Sequence, residues 1–215
     1  MKILVTSPYY RCGSTLVQRC LHQCEDLTML GESNNVFTAL SMLYEELDSK
    51  IRFPKDKFES KMDNWKKKID DDYSLCHDPE NIRRGISSLC ASYFRCDTPY
   101  VGIKTIGESK NSLFTAQSLE FKIIYVRRPW KESMKSYMNQ DWSHLNAFNA
   151  AYNRSFGVNN KEYFDYLSKT SAYFRVLEYE NISKEIFPIM DELGLKYDID
   201  KINNVLNNKI NPGYK

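Results

Sequence analysis

The chain has no long apolar run, and this excludes a membrane-spanning helix. No stretch approaches the ~18 consecutive apolar residues that such a helix needs. Its first apolar run is only Ile3-Leu4-Val5, too short for the core of a signal peptide. A cytoplasmic protein with reduced thiols is therefore expected. A surplus of one charge is also lacking, since 30 Lys and Arg face 28 Asp and Glu for a net +2. The run Lys66-Lys67-Lys68 is answered at once by Asp70-Asp71-Asp72. Such a mixed run reads as a solvated helix face, so nucleic acid is not an expected partner. Histidines number three, and the six cysteines (Cys12, Cys20, Cys24, Cys76, Cys90, Cys96) contain no CxxC pair. Cys20 and Cys24 can approach on one helix, but further metal-type ligands are missing, and no metal is expected. Repeats and low-complexity segments are absent as well.

What is present is a pattern of buried strands separated by helical stretches. At 215 residues the chain suits a single domain, 1–215. Residues 2–6 (KILVT) read as a short buried strand. A polar turn follows, then Leu16, Val17, Cys20, Leu21 and Cys24 form one helical stripe. A mostly helical insertion is expected at about 34–97, punctuated by Pro54 and Pro79. Residues 100–106 and 121–126 read as further buried strands, the second rich in the Ile and Tyr that suit a pleated surface. Pro129 suits the first turn of a helix whose apolar stripe is Trp130, Met134, Tyr137 and Met138. Residues 173–178 read as a later strand. An amphipathic helix runs from Ile182 to Leu193 and stops at Gly194. Crossover connections of this kind predict a central parallel sheet with helices on both faces. Ligands of such sheets bind beyond the carboxyl ends of the strands.

Two loops at that edge carry unusual chemistry. The first, SPYYRCGST, joins a buried strand to a helix start, where unpartnered N–H groups and the helix dipole favour an anion. Gly13 permits close backbone approach, Ser14 and Thr15 add hydroxyls, and Arg11 adds a charged fork. A nucleoside-triphosphate P-loop needs G-x-x-x-x-G-K-[ST]. Here Ser14 stands in the Lys position, Pro8 in that of the first Gly, and the cation is Arg11. The second loop follows IIYV with Arg127-Arg128-Pro129 and then a helix bearing Ser136. A cation at a helix start is unfavourable without an anion to meet it.

These two strings resemble the sulfotransferases that use 3′-phosphoadenosine 5′-phosphosulfate (PAPS). The family's phosphosulfate loop reads P-[KR]-S-G-[ST]-T. The matching segment here is Tyr10-Arg11-Cys12-Gly13-Ser14-Thr15-Leu16, with Tyr10 for Pro and Cys12 for Ser. The family's 3′-phosphate motif is a strand-end Arg with a Ser eight residues on, and Arg128 and Ser136 have that spacing. A branch in which Pro lies two after the binding Arg would select Arg127 instead. The resemblance implies a P-loop nucleotide-hydrolase-like α/β fold and sulfuryl transfer from PAPS to a hydroxyl or amine, with no metal required. It implies donor contacts from residues 11–16 together with Arg127, Arg128 and Ser136. Arg11 would serve as the catalytic cation.

The acceptor must lose a proton, so a general base is expected nearby. Leu30-Gly31-Glu32 resembles the Gly-Glu that ends the second strand in some relatives, which makes Glu32 the candidate. His77 and His144, in polar stretches, are the alternatives; His22, on the polar side of the first helix, is set aside. Lys104 matches a "GxK" of relatives as an acceptor or sulfate contact, or else pairs with Glu108. The segment LEYENIS resembles a later family motif, in which Glu180 is read as structural. The acceptor is unnamed, with carbohydrate or another small molecule in view. A P-loop small-molecule kinase and a non-catalytic nucleotide-binding module are the competing readings.

Overall fold

The computed structural model describes residues 1–32, 42, 88, 97–107, 113, 116–117, 119–140, 145–155 and 174–208. The expected helical insertion at about 34–97 lies outside these, isolated positions apart. So do Cys76, Cys90, Cys96, His77, Glu108 and His144.

Five parallel strands form one sheet in the order β2-β3-β1-β4-β5. They are β1 (Lys2–Thr6), β2 (Leu27–Glu32), β3 (Tyr100–Lys104), β4 (Phe121–Arg127) and β5 (Phe174–Glu178). The helices of the described residues are α1 (Ser14–Leu21), α2 (Trp130–Met138), α3 (Leu145–Ser155), α4 (Ile182–Glu192) and α5 (Ile199–Asn207). The α/β expectation therefore holds, as do the strands read near 2–6, 100–106, 121–126 and 173–178. β2 was not visible as a hydrophobic run, and only the family resemblance of Gly31-Glu32 implied a strand there.

Residues alternate between the two faces of a strand. Ile3 and Val5 of β1, Ile124 and Val126 of β4 and Leu177 of β5 point to one side. There they join Val17, Cys20 and Leu21 of α1, Ile186 and Met190 of α4 and Ile202 of α5. Leu4, Ile123 and Tyr125 alternate with them and are also fully buried. Burial on both faces explains the near-continuous apolar strands, as a parallel sheet requires. Each fully buried Ile, Leu or Val contributes about 1.5–3 kcal/mol.

α4 stops where the sequence says it should. Gly194 takes φ 66°. The Gly194 N–H donates to the Asp191 carbonyl at 2.9 Å and the Leu195 N–H to that of Met190 at 3.0 Å. This is a Schellman termination, and glycine fills its left-handed position without steric cost. α2 differs from its expected stripe. Tyr137 is buried, but Trp130 and Met138 are 36% and 46% exposed, and the second fully buried residue is Ser133. Ser133 and Tyr137 lie four apart on one face. Serine's small side chain lets that face press directly on the loop after β1.

The strand order also sets where a ligand can bind. The connection leaving β1 leads to β2 on one side, and that leaving the adjacent β4 leads to β5 on the other. Adjacent loops diverging this way open a crevice at the carboxyl edge.

Gly102 marks a tight point of the sheet, opposite Met29 of β2. A Cβ built there would lie 2.0 Å from the Met29 sulfur. Gly102→Val is expected to destabilise the protein by about 1–3 kcal/mol through overpacking. For a chain of this size, that is a fall in Tm of several degrees. Adding Met29→Ala should recover part of the loss. Calorimetric melting of the two variants checks this, and an unchanged Tm for Gly102→Val would contradict the packing.

Candidate functional site

The loop after β1 is held in an unusual backbone shape. Arg11 has φ 66° and Gly13 φ 99°. A non-glycine residue in the left-handed region costs on the order of 1–3 kcal/mol and persists only where its surroundings enforce it. Gly13 caps α1 through its carbonyl, which accepts from the Leu16 N–H at 2.9 Å and the Val17 N–H at 3.1 Å. Among the described residues, no backbone acceptor takes the N–H groups of Gly13, Ser14 or Thr15. These are the donors that a helix start offers to an anion. The absence of a side chain at residue 13 is also required by packing. A Cβ there would lie 2.7 Å from Cδ2 of Tyr179 and 2.8 Å from Cδ1 of Ile182.

The two hydroxyls of the loop differ. Ser14 is buried with its Oγ 3.2 Å from Ser7 Oγ, and the Ser7 hydroxyl donates to the Tyr9 carbonyl at 3.1 Å. Ser14 thus braces the loop from within, whereas Thr15 is exposed. Leu16 is half-buried against the core on the α1 side.

The second loop meets the first along its whole length. The Tyr9 hydroxyl donates to the Arg128 carbonyl at 2.7 Å. Arg128 Nη1 reaches the Arg11 carbonyl at 3.5 Å, and Arg11 Nε donates to Ser136 Oγ at 3.2 Å. Cys12 Sγ lies 3.7 Å from Ser133 Oγ. Tyr9, Cys12, Tyr137 and Phe148 pack as one apolar cluster beneath these contacts, with Tyr10 against Tyr137 at 5.3 Å between ring centroids. The two guanidinium groups therefore belong to one place. Burial pulls Arg11 below the ordinary guanidinium pKa; Tyr179 opposes this, and the like charge of Arg128 adds to it. The Arg128 guanidinium lies 4.2 Å from the centroid of the Tyr179 ring, within cation–π range. It also meets Glu132 one turn into α2, with Nε 3.4 Å from Oε2.

The remaining residues singled out from sequence sit differently. Arg127 ends β4 beside Glu178, which ends β5, and both its Nε and Nη2 donate to Glu178 Oε1. Lys104 ends β3 and is only 4% exposed. It stands in register with Val5 of β1 on one side and Glu32 of β2 on the other. Glu32 is thus at the same sheet edge but two strands away from the Arg11 loop. The exit of β3 runs beside that loop, with the Thr105 N–H donating to the Val5 carbonyl and the Gly107 N–H to that of Ser7. His22 is exposed at the C-terminus of α1, and Glu180 is exposed on the turn after β5. Sequence reasoning missed Tyr9, Ser133 and Tyr179. Tyr179 lies in the LEYENIS segment, next to Glu180, and that resemblance is the signal that could have found it.

Among the described residues, no cluster of three or more His, Cys, Asp or Glu side chains could hold a metal, and no helix is long and apolar enough to cross a membrane. No protein-family model and no curated protein matches the chain. Solved structures do match. A sulfotransferase domain from the Synechococcus PCC 7002 olefin synthase superposes with a TM-score of 0.54 at 16% identity, covering 95% of this chain and 77% of that one. TT1252 from Thermus thermophilus superposes with a TM-score of 0.44 at 13% identity, over 90% of this chain and 97% of its own. The second likeness is too loose to define a topology. The first establishes a sulfotransferase-like fold: a five-stranded parallel sheet flanked by helices.

Cys12, Cys20 and Cys24 are free thiols. Burial pushes Cys12 up to about 11, opposed only in part by hydrogen bonds from Ser133 and the backbone at Tyr9 and Arg128. Burial also pushes Cys20 and Cys24 up to about 12. All three should resist iodoacetamide at pH 8 in the native protein and react in denaturant, as read by peptide mass spectrometry. Their ordinary value is 9.0, so the folded state holds these protons to higher pH than the unfolded chain. The stability they contribute is complete below pH 9 and is lost as pH rises from there through about 11 for Cys12 and about 12 for Cys20 and Cys24. Denaturant midpoints measured across that range should fall; a flat profile would contradict the burial.

Proposed function

We propose that this chain is a sulfotransferase that moves a sulfuryl group from PAPS to a hydroxyl or amine of an acceptor. The observation that carries the reading is the meeting of Arg11, Arg128 and Ser136. They come from the loop after β1 and from the loop and helix after β4, far apart in sequence, and join at the crevice between β1 and β4. Around them lie the N–H groups that open α1. A donor with phosphate at both ends of its ribose suits two such loops. The sulfotransferase-like fold supports the same reading.

In the proposed reaction, the acceptor oxygen or nitrogen bonds to sulfur as the bond from sulfur to the bridging oxygen breaks. The nucleotide leaves as 3′-phosphoadenosine 5′-phosphate. The N–H groups of Gly13, Ser14 and Thr15 and the Thr15 hydroxyl hold the phosphosulfate end. Cys12 takes the place of the family's serine by seating the loop on Ser133. Arg11 stabilises the negative charge that grows on the departing oxygen, the role that a preorganised cation fills best. Arg128 and Ser136, eight residues apart, hold the 3′-phosphate in this reading, while Arg127 pairs with Glu178. Glu32 takes the acceptor's proton, and Lys104 lies between Glu32 and the loop to meet acceptor or sulfate. The reaction asks for no metal ion, since arginine supplies the positive charge that Mg²⁺ brings to phosphoryl transfer.

Calorimetric titration tests the reading directly. The protein should bind 3′-phosphoadenosine 5′-phosphate more tightly than ATP with Mg²⁺. Arg128→Ala should weaken that binding about 10- to 100-fold, the worth of a charge-assisted contact. Arg11→Ala should lower kcat for transfer of labelled sulfate by about 10²–10³ while the fold is kept. Tighter binding of Mg-ATP would favour a small-molecule kinase. Nucleotide affinity with no turnover over acceptor pools, and no effect of Glu32→Gln, would favour a binding module.

A further inference from the structure

The ends of β4 and β5 carry two matched contacts in succession. Arg127 and Glu178 are register partners and form a two-pronged ion pair. The next residue on each strand exit is Arg128 and Tyr179, and these are stacked with the guanidinium carbon 4.2 Å from the ring centroid. The same Tyr179 ring lies against Gly13, so close that a Cβ there would clash. One ring thus touches both the glycine that opens α1 and the arginine of the second loop.

We infer that the Arg127–Glu178 pair is a positioning device, which locks the two strand exits in register so that Tyr179 seats Gly13 and Arg128. Arg127 then acts through Glu178 and not on a ligand. The inference rests on the sulfonucleotide reading only for its functional consequence. The physical basis is geometric. A turn of three residues, Tyr179–Asn181, separates β5 from α4. A rotation of the β5 end therefore passes straight to Tyr179. The Arg127–Glu178 pair adds a side-chain tie between the two strand ends to the ladder that already joins them. Glu178 also neutralises one of two adjacent arginines, which leaves Arg128 as the guanidinium of that pair facing Arg11.

The sign of one substitution separates positioning from simple charge. Glu178→Gln removes a negative charge beside an anion site. By charge alone, 3′-phosphoadenosine 5′-phosphate should bind more tightly. Positioning predicts the reverse, with binding weaker on the order of tenfold as Arg128 loses its seat. It also predicts that Arg127→Met combined with Glu178→Gln, which leaves the net charge as in wild type, binds more weakly than wild type, because the pair is broken. Tighter binding in Glu178→Gln, or wild-type affinity in the double variant, would overturn the inference.

Hydrogen–deuterium exchange gives an arm that needs no nucleotide. Amides of residues 11–17 should exchange faster in Glu178→Gln, while those of α5 should be unchanged. Equal acceleration in both regions would mean that the pair serves general stability, and no acceleration in residues 11–17 would mean that it seats nothing; either overturns the positioning role. If wild-type protein fails to bind 3′-phosphoadenosine 5′-phosphate, the sulfonucleotide reading falls, and the exchange result alone decides the role of the pair.

Discussion

The site depends on the docking of one loop against another. Residues 7–13 have no regular hydrogen-bond ladder of their own. They keep their shape because Tyr9 reaches the Arg128 carbonyl, Cys12 settles on Ser133 and Arg11 reaches Ser136. Each contact spans more than a hundred residues of sequence and crosses from the exit of β1 to that of β4. The strand order makes this possible, since β1 and β4 are neighbours although β2 and β3 lie between them in the chain. Parallel pairing places both exits at the same edge, and opposite crossovers keep the space between them open.

That arrangement explains features that look costly in isolation. Arg11 sits in the left-handed region, is partly desolvated and has another guanidinium beside it. Thr6, Ser7 and Ser14 are buried polar residues, and burial of a hydroxyl is tolerable only with a partner. Ser7 bonds Tyr9 and Ser14, and Thr6 bonds Thr105, so these hydroxyls make an internal frame for the loop. The apolar scaffold beneath carries the strain. Ile3, Leu4, Val5 and Val17, which flank the loop on both sides, are all fully buried.

Much of this was legible in the sequence because it is local. The strands declare themselves as apolar runs, and α4 ends at Gly194 for a conformational reason that one residue carries. The spacing of Arg128 and Ser136 is likewise local, about two turns of one helix. What stayed hidden is what depends on tertiary partners. β2 carries Thr28 and Gly31 among its apolar residues, so no run stood out; it is an edge strand, and its pairing with β3 defines it. Trp130 and Met138 read as core because periodicity cannot know that α2 turns its Ser133–Tyr137 face inward. Tyr179 carries no local sign of its role, because its ring meets Gly13 and Arg128 only through the tertiary fold.

The division of labour between adjacent arginines follows from the same tertiary logic. In sequence, Arg127 and Arg128 are near-equivalent cations. In the sheet they are not, because successive residues leaving a strand point to opposite sides. Arg127 is the last residue in register with β5 and finds a carboxylate there; Arg128 is the first beyond it and turns toward the β1 loop. An anion site needs positive charge that its surroundings do not cancel. Arg127 gives two donors to one oxygen of the Glu178 carboxylate, whereas Arg128 is held by a ring face, a carbonyl and one exposed glutamate. A ring face orients a guanidinium without neutralising it. That leaves the charge of Arg128 close enough to pull down the Arg11 pKa, a repulsion that an anion bound beside them would relieve.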